Sequence, residues 1–571
     1  MMETKSLLSE KQLNTVLDHI ITKKPKTRSD FESAKRIICG RIGCAQPPNR
    51  FLLSAYQKLL KKKSISSSTF LEPFLKKAEV RSISGIAVVT SLIKPYLCPG
   101  KCVYCPTEVR MPKSYIATEP AAARALRLNF SPYEQMKRRV EMLEINGHNT
   151  DKIEFIIKGG TWNAYPIKYQ YWFILESFKA CNNVKRKKPT NPTEELHWAS
   201  RPLKELQNAL KKEQAYNEKA KHRIIGLTLE TRPDAIAPKT IFHMREQGCT
   251  RIELGLQAPD DRILKLVNRG HTVDDFRKAI WLLREAGFKV DLHMMPDLPG
   301  TTPKHDVEMY KFLFEDPALR PDMVKIYPCT VIKSAELFTW LEDGRYKPYS
   351  GKELFEALLE MKLSTPPWCR ISRLIRDIPA NEIEAGNKIT NLREELSTEL
   401  ARRGLSCVCI RCREIGRQKH NIPEDSPSLF VDFYETIGGR EYFISFEDSS
   451  RKAIHGFLRL RVPNKFAEKA GFLPPTYLTN TITELKSLLP GIKNSAFVRE
   501  LHVYDTALRI GIRQKNLSQH KGFGARLLHE AETIARQQGF KSISVISGVG
   551  VRAYYRSKGY RKTGSYMTKK L

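Results

Sequence analysis

The stretch Cys98-Pro99-Gly100-Lys101-Cys102-Val103-Tyr104-Cys105 places three thiols within eight residues. Cysteine thiolates are the usual protein ligands of iron–sulfur clusters. Thiolates at this spacing can hold three irons of a 4Fe–4S cube and leave the fourth iron open to a small molecule. Three unrelated cysteines, or part of a zinc knuckle, are the alternatives. The stretch therefore predicts a cluster with one vacant coordination position.

This C-x3-C-x2-C spacing resembles that of the radical S-adenosylmethionine (SAM) enzymes, in which the open iron chelates the methionine amino and carboxylate groups. A glycine pair follows about fifty residues later, in Ile156-Ile157-Lys158-Gly159-Gly160-Thr161. Glycines at a strand end let the backbone approach a ligand closely. The resemblance implies that Gly159 and Gly160 contact SAM and that Cys98, Cys102 and Cys105 act in catalysis. Lys158 departs from the family pattern, which has an apolar residue there.

Short β-rich runs alternate with amphipathic stretches between residues 81 and 395. We expect six strands here, at Ile86–Thr90, Ile153–Ile157, Ile224–Leu229, Arg251–Leu256, Val290–Met294 and Met323–Ile326. Apolar strands separated by helical patterns indicate a parallel sheet. Such units fit a partial (β/α) barrel, whose ligands lie at the carboxyl ends of the strands. Glu230 and Gln257 lie at two of these ends and are candidates for binding SAM. Hydrogen bonds that only fix the loops are an equal alternative.

The chain is strongly basic, with 96 Lys and Arg against 62 Asp and Glu and a formal net charge of +34 over 571 residues. Distributed basic side chains bind polyanions through counterion release, so nucleic acid is the expected partner. A generally basic protein is the alternative. Hydrophobic residues make up 41% of the chain, which predicts a folded protein of more than one domain. The sequence lacks both a long apolar run and a signal-peptide pattern, so we expect a cytoplasmic protein without membrane contact.

Residues 1–80 are predicted to be helical and basic and could lie along a phosphate backbone, although a solvated helix face explains them nearly as well. A polar, basic connector spans Asn182–Lys221. Arg370, Arg373 and Arg376 place three guanidinium groups on one short segment. Arginine forks recognise phosphate, although an internal salt-bridge network explains the same residues.

A second cysteine group, Cys407, Cys409 and Cys412, has spacings that suit one tetrahedral ion. In a reducing compartment such grouping favours metal ligation over disulfides. We expect zinc, in a rigid joint rather than a catalytic site. The candidates for the fourth ligand are Cys369, Cys329 and His420.

The C-terminal part combines short strands with one long helix. Strands are expected at Leu429–Tyr434, Tyr442–Phe446, Ile454–Val462, Phe497–Val503 and Ser542–Ser547, with a closing hairpin and a helix over Gly524–Gln537. The turn Gln519-His520-Lys521-Gly522-Phe523-Gly524 precedes that helix, where backbone amides and the helix dipole favour a pyrophosphate. This turn resembles that of GNAT acetyltransferases and implies acetyl-CoA binding. Tyr554 and Tyr555 lie where such enzymes place a phenol near the thioester.

The order of a radical SAM barrel (81–395), a zinc-binding linker (396–425) and a GNAT domain (426–571) resembles the catalytic subunit of Elongator and its single-chain archaeal and bacterial relatives. The stretches that carry this likeness include Lys94-Pro95, Cys98 to Pro106, Gly159-Gly160-Thr161, Glu230 to Asp234, Asn268 to His271, Lys325-Ile326-Tyr327-Pro328 and Arg373 to Pro379. The resemblance implies tRNA uridine(34) acetyltransferase activity. A SAM-derived radical would take hydrogen from the acetyl methyl, and the resulting carbon would add to the wobble uracil. Thioester hydrolysis would then leave 5-carboxymethyluridine.

The same resemblance implies partners. Residues 1–80, Lys325, Arg370, Arg373 and Arg376 would contact tRNA, and a second copy or Elongator-like subunits would be protein partners. Two other function classes remain open. A protein lysine acetyltransferase would use Glu500 or a water chain as general base and would not need the three cluster cysteines. A tRNA-binding scaffold without catalysis would need neither the thiols nor the acetyl-CoA turn.

Overall fold

The computed structural model describes residues 8–62, 64–65, 71–75, 85–183, 198–418, 426–464, 476–504 and 522–571. Its first elements are four helices, α1 (Glu10–Lys23), α2 (Arg28–Arg41), α3 (Asn49–Lys61) and α4 (Glu72–Leu75). Ser9 and Thr27 begin the first two helices with capping boxes, which satisfy free amide groups at each start. Buried apolar side chains such as Val16 and Phe31 give these helices a shared core. No described helix combines the length and the apolar composition of a membrane span.

An open sheet of seven parallel strands follows. Its strands are β1 (Ala87–Leu92), β2 (Lys152–Lys158), β3 (Arg223–Thr231), β4 (Arg251–Gln257), β5 (Lys289–Met294), β6 (Met323–Ile326) and β8 (Arg370–Arg373). A separate antiparallel pair consists of β7 (Thr330–Val331) and β9 (Ala385–Gly386). Strands that neighbour in the large sheet also follow one another along the chain, and β1 and β8 are its edges. This is the predicted partial (β/α) barrel, whose carboxyl strand ends share one edge.

Helices connect these strands and pack on the sheet. They are α5 (Pro120–Arg127), α6 (Pro132–Ile145), α7 (Ile167–Asn182), α8 (Leu203–Asn217), α9 (Pro238–Glu246), α10 (Asp261–Leu266), α11 (Val273–Glu285), α12 (Pro303–Glu315), α13 (Leu337–Glu342), α14 (Gly351–Leu363) and α15 (Leu392–Arg402). Helix α8 lies inside the stretch that the sequence describes as a connector. The apolar face of α8 is narrow, because its buried leucines are Leu206 and Leu210 and most of its other positions are polar.

A second sheet of seven strands forms the C-terminal part. Its strands are β10 (Ser428–Thr436), β11 (Gly439–Glu447), β12 (Ile454–Pro463), β13 (Ala496–Val503), β14 (Ser542–Val545), β15 (Arg561–Thr563) and β16 (Tyr566–Lys570). The remaining helices are α16 (Ile410–Arg413), α17 (Thr476–Leu488), α18 (Phe523–Gln537) and α19 (Arg552–Arg556). Pairing is antiparallel except between β13 and β14, which pair in parallel over Ala496–Val498. Beyond that point β13 continues to Val503 without β14, so the two strands separate.

The two faces of the second sheet have different environments. One face carries Leu458, Leu460 and Val498, which form an apolar core with α18. The other face carries Arg459 and Arg461 from β12, which are buried against the barrel. The second sheet therefore separates α18 from the barrel.

Buried ion pairs join this second face to the amino ends of the barrel strands. Asp322, directly before β6, accepts hydrogen bonds from Arg499, with Oδ1 at 3.0 Å from Nη1. Arg461 Nη2 lies 2.5 Å from Glu285 Oε1 at the end of α11. Lys289, the first residue of β5, donates to Glu500 Oε1 at 3.0 Å. The contact is thus at the edge of the barrel opposite to its carboxyl strand ends.

Backbone also meets backbone in this interface. A Cβ atom on Gly548 would lie 1.9 Å from the carbonyl oxygen of Ile225, near the start of β3. A Cβ on Gly550 would lie 2.6 Å from the Cβ of Arg223. No side chain fits between the two halves at these positions, so their backbones are in direct contact there.

The six barrel strands predicted from the sequence are all present, each within two residues of its predicted ends. The seventh strand, β8, was not predicted. Its sequence Arg370-Ile371-Ser372-Arg373 places charged or polar side chains at three of four positions. Such a segment resembles a basic surface loop, because apolar alternation is the signal for a strand.

Candidate functional site

The cysteine loop, residues 98–105, lies beyond β1 at the carboxyl edge of the barrel. Val103 N donates to the carbonyl oxygen of Val267 at 3.2 Å, and the carbonyl of Val103 accepts from Leu337 N at 2.8 Å. These backbone bonds tie the loop to α10 and α13. Cys102 is buried, and the other two cysteines of the loop are half-buried.

The spacing of the three sulfurs bears on which metal group they can hold. Among the described residues, they do not form a group within 4.8 Å of one another, whereas the second cysteine group does. Tetrahedral zinc with Zn–S bonds of about 2.3 Å requires sulfurs about 3.8 Å apart. An iron–sulfur cube instead distributes its thiolates over separate irons. The three thiols of the loop are therefore not arranged for one zinc ion, and ligation of separate irons does not require them to be so close.

Arg269 provides positive charge beside the cluster ligands. Its Nη1 donates to Cys102 Sγ at 3.4 Å, and its Nη2 donates to the carbonyl of Gly255 at 2.6 Å. Burial alone would raise the pKa of the Cys102 thiol, yet the charge of Arg269 holds that pKa below its ordinary value. Burial and the neighbouring Cys102 raise the pKa of Cys105 to about 11. Arg269 thus favours the thiolate that a cluster requires.

The glycine pair at the end of β2 has the backbone freedom that only glycine supplies. Gly159 has φ +141°, and a Cβ there would lie 2.2 Å from Ile93 Cγ1. Gly160 has φ +90°. Both amide groups point at one carboxylate, with Gly159 N at 3.3 Å and Gly160 N at 3.4 Å from Glu230 Oε2. The predicted ligand-binding residues Gly159, Gly160 and Glu230 therefore lie together.

Several buried polar atoms in and near the loop have no hydrogen-bond partner among the described residues. They include Tyr104 Oη in the loop itself, Arg269 Nε, Arg232 Nη1 and Gln257 Oε1. Arg232 Nη1 lies 2.5 Å from where a Cβ on Gly100 would stand, so it faces the cysteine loop. Gln257 has φ +78° at the end of β4, a conformation that is costly for a residue with a side chain. Unsatisfied buried groups and backbone strain at one place fit a site that accepts a polar ligand.

Charged side chains from neighbouring strands occupy the barrel interior next to the glycine pair. Lys325 on β6 donates to Glu253 on β4. His293 Nε2 lies 3.4 Å from Glu253 Oε2, and His293 Nδ1 lies 3.9 Å from Glu230 Oε1. Burial opposes ionisation of Glu253, but Lys325 holds the pKa of that carboxyl well below its usual range. Burial and the charge of Lys325 lower the pKa of Lys158 to about 8.

Sequence reasoning placed Glu253 and Arg269 in segments whose polar side chains could hold the SAM ribose and carboxylate, but it singled out neither residue and gave His293 no site role. Glu253 and His293 lie on the barrel strands β4 and β5, whereas Arg269 follows helix α10. The positions of these residues could therefore be recognised from the sequence. Their contacts could not, because the partner residues are distant in the chain. Arg269 and Cys102, for example, are 167 residues apart.

The three predicted phosphate-binding arginines lie in different environments. Arg370 Nη1 lies 2.6 Å from Glu414 Oε1, and Arg376 Nη2 lies 2.8 Å from Glu119 Oε1. Arg373 is the most exposed, with 44% of its side chain open to solvent. Lys325, the other residue predicted to contact RNA, faces the barrel interior. All three arginines are thus paired with carboxylates, because Arg373 Nη1 also lies 2.8 Å from Asp377 Oδ2.

The second cysteine group brings its three sulfurs within 4.8 Å of one another, near enough for one tetrahedral ion. Hydrogen bonds from the other two thiols of the group hold the pKa of Cys409 well below its ordinary value. Among the described residues, neither Cys369 nor Cys329 belongs to this group. His420 lies outside the described residues.

Helix α18 begins at Phe523, directly after Gly522, whose φ of +74° is left-handed. A Cβ on Gly524 would lie 2.9 Å from Tyr554 Oη, so this hydroxyl lies against the start of the helix. Tyr554 is 37% exposed, whereas Tyr555 is buried in the core beneath α18. The other residues of the predicted turn, Gln519, His520 and Lys521, lie outside the described residues.

Comparison with protein families identifies the barrel. The model described as "Radical SAM superfamily" matches residues 92–313, and "Radical_SAM C-terminal domain" matches residues 321–402. Together with the parallel barrel and the cysteine loop, these two matches define a radical SAM enzyme. Membership implies a 4Fe–4S cluster and SAM.

Similarity to curated proteins covers nearly the whole chain. The tRNA uridine(34) acetyltransferase of Methanocaldococcus jannaschii is 39% identical over an alignment of 584 positions, which covers 100% of this chain and 99% of that protein. Elongator complex protein 3 of Homo sapiens is 37% identical over 515 residues, covering 88% and 87% of the two chains. A solved structure of Methanocaldococcus infernus Elp3 with an N-terminal deletion has a TM-score of 0.68 at 38% identity, covering 86% of this chain and 100% of that one. The chain belongs to the family of tRNA uridine(34) acetyltransferases and Elongator complex protein 3.

Proposed function

We propose that this protein converts the wobble uridine of tRNA to 5-carboxymethyluridine, using SAM and acetyl-CoA. One observation carries the proposal: a cysteine loop with Arg269 against Cys102, at the carboxyl edge of a barrel, in a chain related over its full length to tRNA uridine(34) acetyltransferases. The enzyme is therefore an acetyltransferase of the radical SAM type.

The residues around the cysteine loop would share the binding of a cluster and SAM. The three cysteines of the loop would hold three irons. A bound 4Fe–4S cluster with SAM supplies one-electron chemistry that can break an unreactive carbon–hydrogen bond. The backbone of Gly159 and Gly160 would take the amino-acid part of SAM. Glu230 and Gln257 would offer oxygen atoms to its amino group and ribose hydroxyls.

The start of α18 supports acetyl-CoA as the second substrate. Free amide groups and the helix dipole at this end favour a pyrophosphate. The separation of β13 from β14 beyond Val498 would allow the extended arm of acetyl-CoA to cross the sheet. We assign the contact with the thioester to Tyr554, whose hydroxyl lies against Gly524, rather than to the buried Tyr555.

The remaining assignments concern zinc and partners. The second cysteine group is inferred to hold a structural zinc ion. The tRNA is inferred to contact residues 1–80 and Arg373, with the uridine turned out of its stack to reach the barrel. Lys325 would then act inside the barrel rather than on the RNA backbone. We also propose that the protein is cytoplasmic. It would assemble with a second copy of itself or with Elongator-like subunits.

The proposal is tested with anaerobically reconstituted protein, a reductant, SAM, acetyl-CoA and tRNA. Mass spectrometry of the digested tRNA should detect 5-carboxymethyluridine at the wobble position only when all components are present. Cys102→Ser should abolish the product, because it removes one cluster ligand. Cys181→Ser, near the end of α7, where the thiol donates to the carbonyl of His222 at 3.0 Å and a serine hydroxyl can do the same, is the matched control and should retain activity. Product formation without SAM, or by Cys102→Ser, would refute the proposal.

A protein lysine acetyltransferase is disfavoured by the environment of Glu500. This carboxylate is paired with Lys289 and Arg459, each at 3.0 Å. Although burial opposes ionisation, these two cations hold the pKa of Glu500 far below its usual range. A general base needs a pKa near the working pH, so Glu500 is a poor one. SAM-independent acetylation of a histone-like peptide would nevertheless favour this alternative, and tight tRNA binding without any product would favour the scaffold.

A further inference from the structure

Exposed apolar residues flank the cysteine loop on both sides. Tyr96 and Leu97, directly before Cys98, are 42% and 84% exposed, and Val109, four residues after Cys105, is 93% exposed. Lys101 and Arg110 in the same region are also exposed. Large apolar side chains at such exposure next to a binding site mark an interaction surface rather than a core.

Tyr96 is the outer member of a column of aromatic rings. Its ring centroid lies 4.8 Å from that of Tyr165, which stacks on Tyr169 at 5.3 Å. Tyr169 in turn contacts Trp198 edge-on at 5.4 Å. The inner tyrosines are buried, while Tyr96 ends the column at the surface. A ring in this position can stack with one further planar group from solution.

The segment that carries Tyr96 is held in place from below. Tyr165 Oη donates to the carbonyl of Lys94 at 2.6 Å, and Lys94 N donates to Tyr169 Oη at 3.2 Å. The ammonium group of Lys94 also lies 5.1 Å from the ring centroid of Tyr169. Because its support is fixed by these contacts, Tyr96 loses little conformational entropy on binding a partner.

We propose that Tyr96 is a stacking platform for an unpaired base of the RNA anticodon loop, next to the nucleotide that enters the barrel. This rests on the proposed function and adds the residues that hold the flanking nucleotide. Aromatic side chains interleaved with Lys and Arg are the general means of binding single-stranded nucleic acid. Lys101 supplies that charge within the cysteine loop, and Arg110, whose Nη2 is paired with Glu108 Oε1 at 2.7 Å, keeps 69% of its side chain exposed. An apolar protein partner would not use the exposed cations of this surface.

The test measures binding of an anticodon stem-loop RNA that carries 2-aminopurine at the nucleotide after the wobble uridine. Stacking on Tyr96 should quench the 2-aminopurine fluorescence of the complex. Tyr96→Ala should remove that quenching and weaken binding roughly 5- to 140-fold, the range for loss of one stacked base. Tyr96→Phe should stay within about twofold of the original affinity, because it keeps the ring.

Tyr216→Ala is the matched control. Tyr216 is 58% exposed on α8, next to Asn217, which binds Ile224 near the amino end of β3, opposite to the cysteine loop. This variant should bind the RNA normally. Equal affinity and equal quenching for Tyr96→Ala and the original protein would overturn the proposal, as would normal RNA binding by Tyr96→Ala together with loss of a protein partner. Iron content of each variant confirms that the cysteine loop is intact.

These outcomes separate this inference from the proposed function. If the original protein makes no 5-carboxymethyluridine but Tyr96→Ala still loses RNA affinity, the proposed reaction fails and the platform remains. If the original protein makes the product and Tyr96→Ala makes it at unchanged kcat/KM, the reaction stands and the platform fails.

Discussion

At the scale of single residues, the decisive contact joins Arg269 to Cys102. The arginine is held by the carbonyl of Gly255 and directs its second nitrogen at the sulfur. Its charge favours the thiolate in a buried place that would otherwise disfavour it. The three cysteines and the glycine pair were recognisable from the sequence because they are close together in the chain. The contact with Arg269 was not, because it joins distant segments.

Removing the charge of Arg269 should weaken the cluster. We expect Arg269→Gln to incorporate several-fold less iron than the original protein, because the pKa of Cys102 rises and its thiolate becomes scarcer. Arg269→Lys keeps a positive charge and should retain more iron than the Gln variant. Iron analysis after anaerobic reconstitution measures both. Equal iron in all three proteins would contradict the role given to this arginine.

A buried carboxyl pair near the end of β5 makes a second residue-scale prediction. Burial raises the pKa of Asp297 to about 7 and that of Asp306 to about 6, against an ordinary value of 3.8. A carboxyl whose pKa is raised on folding binds more protons in the folded state, so stability falls as the pH rises through this window.

Asp297→Asn should therefore gain stability relative to the original protein as the pH increases. The gain in free energy of unfolding should be about 1–4 kcal/mol between pH 4 and pH 8, since each pKa unit equals about 1.4 kcal/mol. Thermal unfolding at a series of pH values measures the difference. A difference that stays constant over this range, or that shrinks as pH rises, would refute the assignment.

At the scale of elements, short helices and loops position the site. Helix α10 leads directly into the segment that contains Arg269, and Asp260 caps it by accepting from Arg262 N at 2.8 Å. The element types of the barrel followed from sequence periodicity, since apolar strands alternate with amphipathic helices. Strand β8 and helix α8 did not follow, because the barrel interior accepts charged side chains and α8 has few apolar ones. Hydrophobic periodicity reveals side chains that are buried in an apolar core. It does not reveal charged side chains that are buried in a polar interior.

Loss of the α10 cap should reach the cysteine loop. We expect Asp260→Ala to lower the free energy of unfolding by about 1 kcal/mol, because two amide groups at the helix start lose their acceptor. Asp260→Asn retains an acceptor oxygen and should cost only a few tenths of a kcal/mol. Thermal unfolding compares the variants, and iron loading reports whether Arg269 is still in place. Identical stability of the Ala and Asn variants would show that the cap contributes nothing.

At the scale of the whole molecule, buried charge joins the two halves of the chain. Arg459, Arg461 and Arg499 are fully buried and meet Asp322 and other carboxylates of the barrel half. From sequence these arginines contribute to the formal charge of +34. In the fold they are unavailable to RNA. The sequence could not show that these basic side chains pair with carboxylates across the contact between the two halves.

Asp322→Asn should disrupt this junction. It removes one of two buried carboxylates beside the guanidinium group of Arg499, whose other partner is Glu441 at 3.0 Å, and breaking a buried pair typically costs about 3–5 kcal/mol. Limited proteolysis and thermal unfolding should show early separation or melting of the two halves. Glu399→Gln, which alters an exposed pair with Arg402 on α15, is the matched control and should leave both measurements unchanged. If Asp322→Asn behaves like the control, the buried pairs do not hold the halves together.

The close approach of Gly548 to Ile225 sets a minimum length for the arm of acetyl-CoA that carries the acetyl group. Because backbone lies against backbone at this contact, the second sheet sits directly on the amino edge of the barrel, opposite to the cysteine loop. Strand β5 runs from Lys289, at Glu500, to Met294 at the far edge, and its six residues span about 16 Å at about 3.3 Å per step. A thioester with a shortened arm would therefore not reach beyond the amino end of the barrel, however tightly the rest of the molecule was bound.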